Sequence, residues 1–255
     1  VSEEVDVKIS RNRVAFLASV VCALSLPAAV AVLMGLPPGW ALPLSEARII
    51  IEVNATDGDA GLQIFADGDG WTRLEVFDPT GQQIVDVSAN GGVELQGITE
   101  IFFESAEPSF EEQTLDELFL RFPSGMYTFV ATTDEGKILN GRATLSHAIP
   151  AGPEITSPEE DAVVDAAQPV VISWEPVTEP FPDTDSPVKI IGYQVIVERE
   201  KPKPLLVFSV ALPATATQVT VSPEFLQGKA TYKFEVLAIE AGGNQTITES
   251  TFKTQ

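Results

Sequence analysis

Two Asp-Gly-Asp runs are the residues in this chain best suited to chemistry. They are Asp57-Gly58-Asp59 and Asp67-Gly68-Asp69-Gly70, ten residues apart. Calcium takes six to eight oxygen ligands, and glycine lets backbone carbonyls turn inward among carboxylates, so these runs suit a structural calcium ion. Asp57 and Asp59 make the better pair, and Asp67 and Asp69 the weaker one. The DxDxDG loop of an EF-hand is absent. Asp-Gly is also ordinary turn chemistry. If residues 62–66 form a strand, the two turns lie ~17–20 Å apart and cannot share one ion. Each would then recruit help from Asn54, Asp78 or Glu107.

Other catalytic constellations are poorly supplied. The chain has one histidine, His147, and one cysteine, Cys22, which sits in an apolar N-terminal run. A Ser/His/Asp or Cys/His mechanism needs a histidine base, and a zinc site needs three or four imidazole or thiolate ligands. Glu104 and Glu107 flank Ser105-Ala106 and suit a glycosidase acid and base. In a chain with 37 acids, however, such a pair is expected by number alone. No glycine-rich phosphate loop joins a strand to a helix. The expectation is therefore a protein that is not an enzyme, with no catalytic residues and no cofactor apart from the calcium candidate.

Charge excludes a further class of partner. The formal net charge is −22, and all of it falls in residues 42–255. A surface that acidic repels nucleic acid and anionic lipid headgroups. The expected partner is a protein or a polysaccharide. The loop Thr178–Pro187 presents Phe181 among Asp183 and Asp185, held by prolines, and these three are the candidate partner-binding residues. Loops at sandwich ends are common binding positions, although such a segment also serves as a rigid solvated connection.

These residues are positioned by elements whose periodicity is legible. Residues 14–36 are uncharged and apolar and follow Lys8, Arg11 and Arg13, as in a secretory signal. Small residues at −3 and −1 mark cleavage after Ala41 or after Ala47. An uncleaved membrane anchor is the competing reading, because the run is long enough to span a bilayer at ~20 residues. Either way the basic flank places residues 42–255 outside. The predicted layout is residues 1–44 as signal or anchor, 45–149 as a β-sandwich of unknown type, and 152–255 as a second sandwich, with the stiff run 149–153 between them.

In the first segment, strands are predicted at 48–54, 62–66, 71–77, 82–87 and 100–104. DGDG is read as a turn, and Asp78-Pro79-Thr80-Gly81 as a type I turn. Thr114 and Glu117 form a capping-box pattern ahead of Leu115, Leu118, Phe119 and Phe122. That spacing describes one short amphipathic helix whose apolar stripe faces the core. A hairpin over 126–132 and 138–146 follows. The fold class is all-β, two tandem β-sandwiches.

In the second segment, residues 230–239 alternate strictly, with Tyr232, Phe234, Val236 and Ala238 on one side. Gly242-Gly243-Asn244 then breaks the strand. VVISW (170–174), GYQVIVE (192–198), residues 207–212 and QVTV (218–221) supply further strands. Leu226 precedes Tyr232 by six residues. These landmarks together resemble a fibronectin type III domain. The resemblance implies a seven-stranded Greek-key sandwich without a disulfide, Trp174 in the core and Tyr232 at a corner. The family's usual proline before the corner is replaced by Gly228 and Lys229, which puts the local turn geometry in question. The exterior region is also similar to a group of secreted bacterial proteins that pair such a domain with an upstream sandwich. The ATDGD, FDPTG, FFESAEP and ITSP pieces carry that similarity, and no activity comes with it. Asn54-Ala55-Thr56 and Asn244-Gln245-Thr246 match the glycosylation pattern. The functional expectation is a secreted or cell-surface binding or adhesion module for protein or glycan. The alternatives are a structural envelope component anchored by residues 14–36, and an accessory to an extracellular carbohydrate-active enzyme.

Overall fold

The structure is a computed structural model, and it describes residues 42–255. The readings on the apolar segment 14–36 and on Cys22 lie outside the described residues. Among the described residues, no helix is long and apolar enough to cross a membrane.

The first sandwich contains β1 (Leu42–Pro43), β2 (Glu46–Asn54), β3 (Asp59–Trp71), β4 (Arg73–Phe77), β5 (Gln83–Ser88), α1 (Gly92–Gln96), β6 (Ile98–Glu104), α2 (Leu115–Arg121), β7 (Gly125–Thr132) and β8 (Ile138–Leu145). One sheet runs β1-β8-β7-β4-β5, and the facing layer is β2-β3-β6. Alternate residues of each strand fill the space between them: Ile49, Ile51 and Val53 from β2, Leu62, Ile64 and Ala66 from β3, and Tyr127, Phe129 and Ala131 from β7. Period-two patterning sets this register, since a slip by one residue would turn every apolar side chain to solvent.

Two expectations for this half need correction. The DGDG run is not a turn. Residues 67–70 continue β3, with the pairing to β6 shifted between Asp67 and Trp71. Packing overrides turn chemistry here. Gly68 is buried under Leu44, where a Cβ would stand 2.8 Å from Leu44 Cδ2. The domain also begins earlier than residue 45, because β1 pairs with β8 and Leu44 is buried in the core.

The short helix agrees with its pattern. The Glu117 amide donates to Thr114 Oγ1 at 3.3 Å, and the Thr114 amide donates to Glu117 Oε2 at 2.9 Å, closing the capping box. Leu118 is buried, and Leu115, Phe119 and Phe122 pack against the core. The five-residue helix α1 has no counterpart in the sequence reading.

The second sandwich contains β9 (Ile155–Ser157), β10 (Ala162–Val164), β11 (Val170–Trp174), β12 (Ile190–Lys201), β13 (Leu206–Pro213), β14 (Gln218–Val221), β15 (Thr231–Glu240) and β16 (Gln245–Thr254). A three-stranded sheet, β14-β11-β9, faces the run β13-β12-β15-β16. Trp174, Tyr193, Tyr232, Phe234 and Phe252 fill the core between them. The corner is made as the resemblance implies. The Gln227 amide donates to the Tyr232 hydroxyl at 2.7 Å, and Lys229 takes a φ of 59°, supplying the turn without a proline.

The two sandwiches share one strand order. Counting seven strands in each without the short segments β1 and β10, the second lies between the first and the fifth, and the other sheet runs fourth, third, sixth, seventh. β2, β3 and β6 correspond to β9, β11 and β14. β5, β4, β7 and β8 correspond to β13, β12, β15 and β16. A short segment adds parallel to the last strand in both: β1 on β8, and β10 on β16.

The halves also share a sheet. β16 pairs parallel with β2, Gln245 opposite Glu52 and Ile247 opposite Asn54. This makes one eight-stranded sheet in the order β13-β12-β15-β16-β2-β3-β6, with β10 also on β16. Asn244 closes the seam and is buried. Its Oδ1 accepts from the Ile51 amide at 2.9 Å, and its Nδ2 donates to the carbonyls of Ser146 and Ala148, both at 3.0 Å. The connecting run is held as well, since Thr246 Oγ1 donates to the Pro150 carbonyl at 2.6 Å.

Candidate functional site

The connection between β11 and β12 does not stand free in solvent. The Phe181 amide donates to the Ile149 carbonyl at 2.8 Å, and the Ala151 amide donates to the Glu179 carbonyl at 3.0 Å. These bonds draw the loop onto the first sandwich. Phe181 packs against that sandwich's core and meets Phe110 edge-on, with ring centroids 5.9 Å apart. Thr184 Oγ1 donates to the Phe181 carbonyl at 2.7 Å and tightens the turn. The result is an open groove of about 320 Å³ lined by Phe110, Thr114, Leu115 and Asp116 from the first sandwich and by Phe181, Pro182 and Asp183 from the second. Its floor is aromatic and apolar, and its rim carries two exposed carboxylates, Asp116 and Asp183. Asp185 is exposed in the same loop but does not line the groove. The sequence named Phe181 and Asp183. It gave no sign of Phe110 and Asp116, because their proximity depends on how two distant segments meet.

The calcium candidates are spread along β3. Asp57 lies in the turn between β2 and β3, where Asn54 Nδ2 donates to its Oδ2 at 3.3 Å. Asp59 begins β3, opposite Asn54. Asp67 pairs across from Glu46 and Glu100. Asp69 lies at the far end beside Thr133, Asp134, Glu135 and Lys137. The structure does not bring the two Asp-Gly-Asp runs together.

It assembles a different carboxylate group instead. Glu52, Glu104 and Glu107 have oxygens within 4.8 Å of one another, the one such trio found among the described residues. Gly61 lets the group close, for a Cβ there would stand 2.6 Å from Glu107 Cγ. Gln245 Nε2 donates to Glu52 Oε2 across the seam. Glu104 and Glu107 were paired by sequence, whereas Glu52 reaches them only through the β2-β3-β6 register.

Farther along the same sheet face, Lys233 Nζ lies 2.7 Å from Glu249 and 3.2 Å from Glu235. Burial alone would lower the Lys233 ammonium, but the bond to Glu249 and the neighbouring Glu235 charge hold it above its ordinary value. Burial pushes the Glu235 carboxyl up, and the Glu249 charge adds to this despite Lys233.

The remaining candidates have structural roles. His147 stacks on Phe119 with ring centroids 4.0 Å apart, and its Nε2 donates to the Phe122 carbonyl at 2.9 Å. The single imidazole thus closes the C-terminal end of α2 against the connection. Both asparagines of the glycosylation pattern are 1% exposed, Asn54 in its turn and Asn244 in the seam. The pattern reads three residues and carries no information about burial.

No family model matches the chain, and no curated protein matches it. Solved structures do resemble it. The fibronectin(III)-like modules of Clostridium thermocellum CbhA align at 10% identity over 83% of this chain and 93% of that one, with a TM-score of 0.30. A segment of two fibronectin type III domains from chicken tenascin aligns at 12% identity over 82% of this chain and 98% of that one, with a TM-score of 0.27. The chicken CNTN1 FN1–FN3 domains align at 12% identity, 84% and 65% coverage, and a TM-score of 0.33. These scores are low, and the fold is read from strand order and core. By those criteria the second sandwich has the fibronectin type III fold, and the first repeats its strand order.

Proposed function

We propose that the protein is a secreted or cell-surface, non-catalytic binding or adhesion module that receives a protein or glycan partner in the groove between its two sandwiches. The observation that carries this reading is the double origin of the groove. Phe110, Leu115 and Asp116 come from one sandwich and Phe181, Pro182 and Asp183 from the other. Concave apolar surfaces with a few placed polar groups are the usual form of a recognition site. Here the shared sheet preorganises the two walls, which reduces the entropy lost on binding.

The test is capture of cell-surface material from the native host by the full chain, compared with Asp116→Lys/Asp183→Lys and with a control altered far from the groove, Asp134→Lys. The expected result is a partner retained by the control and lost by the groove variant. Retention by all three chains would refute the groove as the site. Export adds a second expectation. Cleavage after Ala41 would keep β1 and Leu44, whereas cleavage after Ala47 would remove both and the start of β2. Sequencing of the mature protein is expected to begin at Leu42. A mature chain that retains residues 14–36 would instead favour the anchored envelope component.

A further inference from the structure

We propose that the open edge of β6 takes one additional strand from a cationic protein partner, extending the eight-stranded sheet by main-chain pairing. Among the described residues the sheet ends at β6, which is paired there on one side only, with β3. An edge strand presents a row of unpaired N–H and C=O groups, and native proteins usually blunt such edges with proline, lysine or a bulge. β6 reads ITEIFFE, with no proline or lysine, and the irregularity in its pairing with β3 is confined to its N-terminal end, between Ile98 and Glu100.

Its side chains suit an added strand on both faces. Phe102 and Phe103, which project to opposite faces, are 44% and 39% exposed. Just before the strand, α1 leaves Leu95 88% exposed. Strand addition draws affinity from the main chain and specificity from alternate side chains. Glu100, Phe102 and Glu104 form one row, while Ile101 and Phe103 form the other.

Charge decides the occupant. Residues 74–120 contain eleven acids and no base. Glu52 and Glu107 lie against Glu104 and strengthen the field at that end of the strand. A second copy of β6, antiparallel and centred on Phe102, would place Glu100 against Glu104 twice. Like charges directly opposite are destabilising in a sheet. The matching strand instead carries Lys or Arg at alternate positions over Glu100 and Glu104, and apolar side chains over Ile101 and Phe103. This site is separate from the groove between the sandwiches, so either can fail without the other.

The probe is a nine-residue peptide alternating Lys and Val. It is measured against the full chain by fluorescence anisotropy, with amide hydrogen exchange read along β6. The expected result is binding that weakens with salt, slowed exchange in β6, and roughly tenfold weaker binding by Glu100→Lys/Glu104→Lys. A peptide N-methylated at every residue is expected not to bind, because it has no backbone donor left on either edge. The groove variant Asp116→Lys/Asp183→Lys is expected to bind the peptide like the parent chain. Equal binding of the N-methylated peptide, or unchanged β6 exchange, would overturn the proposal in favour of simple charge attraction. A concentration-dependent dimer abolished by Phe102→Lys would overturn it in favour of a second copy. Absence of binding to the parent chain would also refute it. The peptide controls use the parent chain and need no variant to fold.

Discussion

The two sandwiches have the same strand order but open edges of different character. The shared sheet ends in the second sandwich at β13, and in the first at β6. At the β13 end, Pro202 and Pro204 stand in the hairpin that leads into the strand, and Pro213 closes it. Proline removes a backbone donor and stops further pairing. At the β6 end there is no proline, two phenylalanines are exposed, and the neighbouring helix adds Leu95. The two ends hold different places in the strand order, since β6 corresponds to β14 and β13 to β5, and their side chains leave one end closed and the other open. Topology tells which strand is at the edge, and composition tells whether that edge is available.

The comparison extends to the cores. Each sandwich buries a tryptophan on its second strand, Trp71 or Trp174, and a tyrosine on its sixth, Tyr127 or Tyr232. Both tyrosines bond to the chain that precedes them, but in opposite senses. Tyr127 donates its hydroxyl proton to the Pro123 carbonyl at 3.0 Å, after a helical connection. Tyr232 accepts from the Gln227 amide, after a tight turn.

The shared sheet makes the pair one compact unit over the described residues. The strongest way to break the comparison is therefore to truncate one core and watch the other. Phe129→Ala and Phe234→Ala are each expected to cost about 3–5 kcal/mol. Calorimetry is expected to show one cooperative transition lowered in both variants. If only one of two transitions moves, the halves are independent.

Next in size is Asn244→Ala, which leaves the Ile51 amide and the Ser146 and Ala148 carbonyls without their seam partner. The expected loss is about 2–3 kcal/mol, on the scale of buried polar groups left unsatisfied. Denaturant unfolding followed by Trp fluorescence is expected to split into two phases, because Trp71 and Trp174 report different halves. An unsplit curve with unchanged midpoint would show that the seam contributes nothing.

The corner tyrosines sharpen the comparison at smaller scale. Tyr127→Phe and Tyr232→Phe are each expected to cost about 1 kcal/mol through one lost hydrogen bond. A much larger loss in either, measured by chemical denaturation, would mean that the two corners are not equivalent.

Alkaline pH tests the Tyr127 corner by itself. Burial first, and the Asp78 charge second, push the Tyr127 hydroxyl up to about 12. An unfolded tyrosine ionises near ~10. Stability from this group is therefore full below about pH 10 and lost as pH rises toward about 12, since the unfolded chain releases the proton first. Tyr127→Phe is expected to flatten that part of the pH profile, whereas an unchanged slope would assign it to other groups.

Much of the molecule was legible before folding. Period-two alternation located β15 to within one residue, and the fibronectin type III resemblance gave β11 and β14 to the residue and β12 and β13 with shorter limits. The Thr114–Glu117 box located α2, because capping is a local bond between residues three apart. Leu226 and Tyr232 announced the corner.

What escaped the sequence was set by contacts between segments far apart in the chain. DGDG looked like a turn until Leu44 packed over Gly68. Asn244 showed only as part of a three-residue glycosylation pattern, and its place at the seam came with the Ile51 amide and the Ser146 carbonyl. Phe181 looked like a solvent-facing anchor until Phe110 stood 5.9 Å away. The sequence by itself determined the strands, the helix and the acidic surface, because periodicity, capping and charge act over a few residues or none. Only the tertiary structure decided the parallel β16–β2 seam, the groove and the open edge at β6. Those depend on which surfaces remain once each core is filled, and no local pattern encodes that remainder.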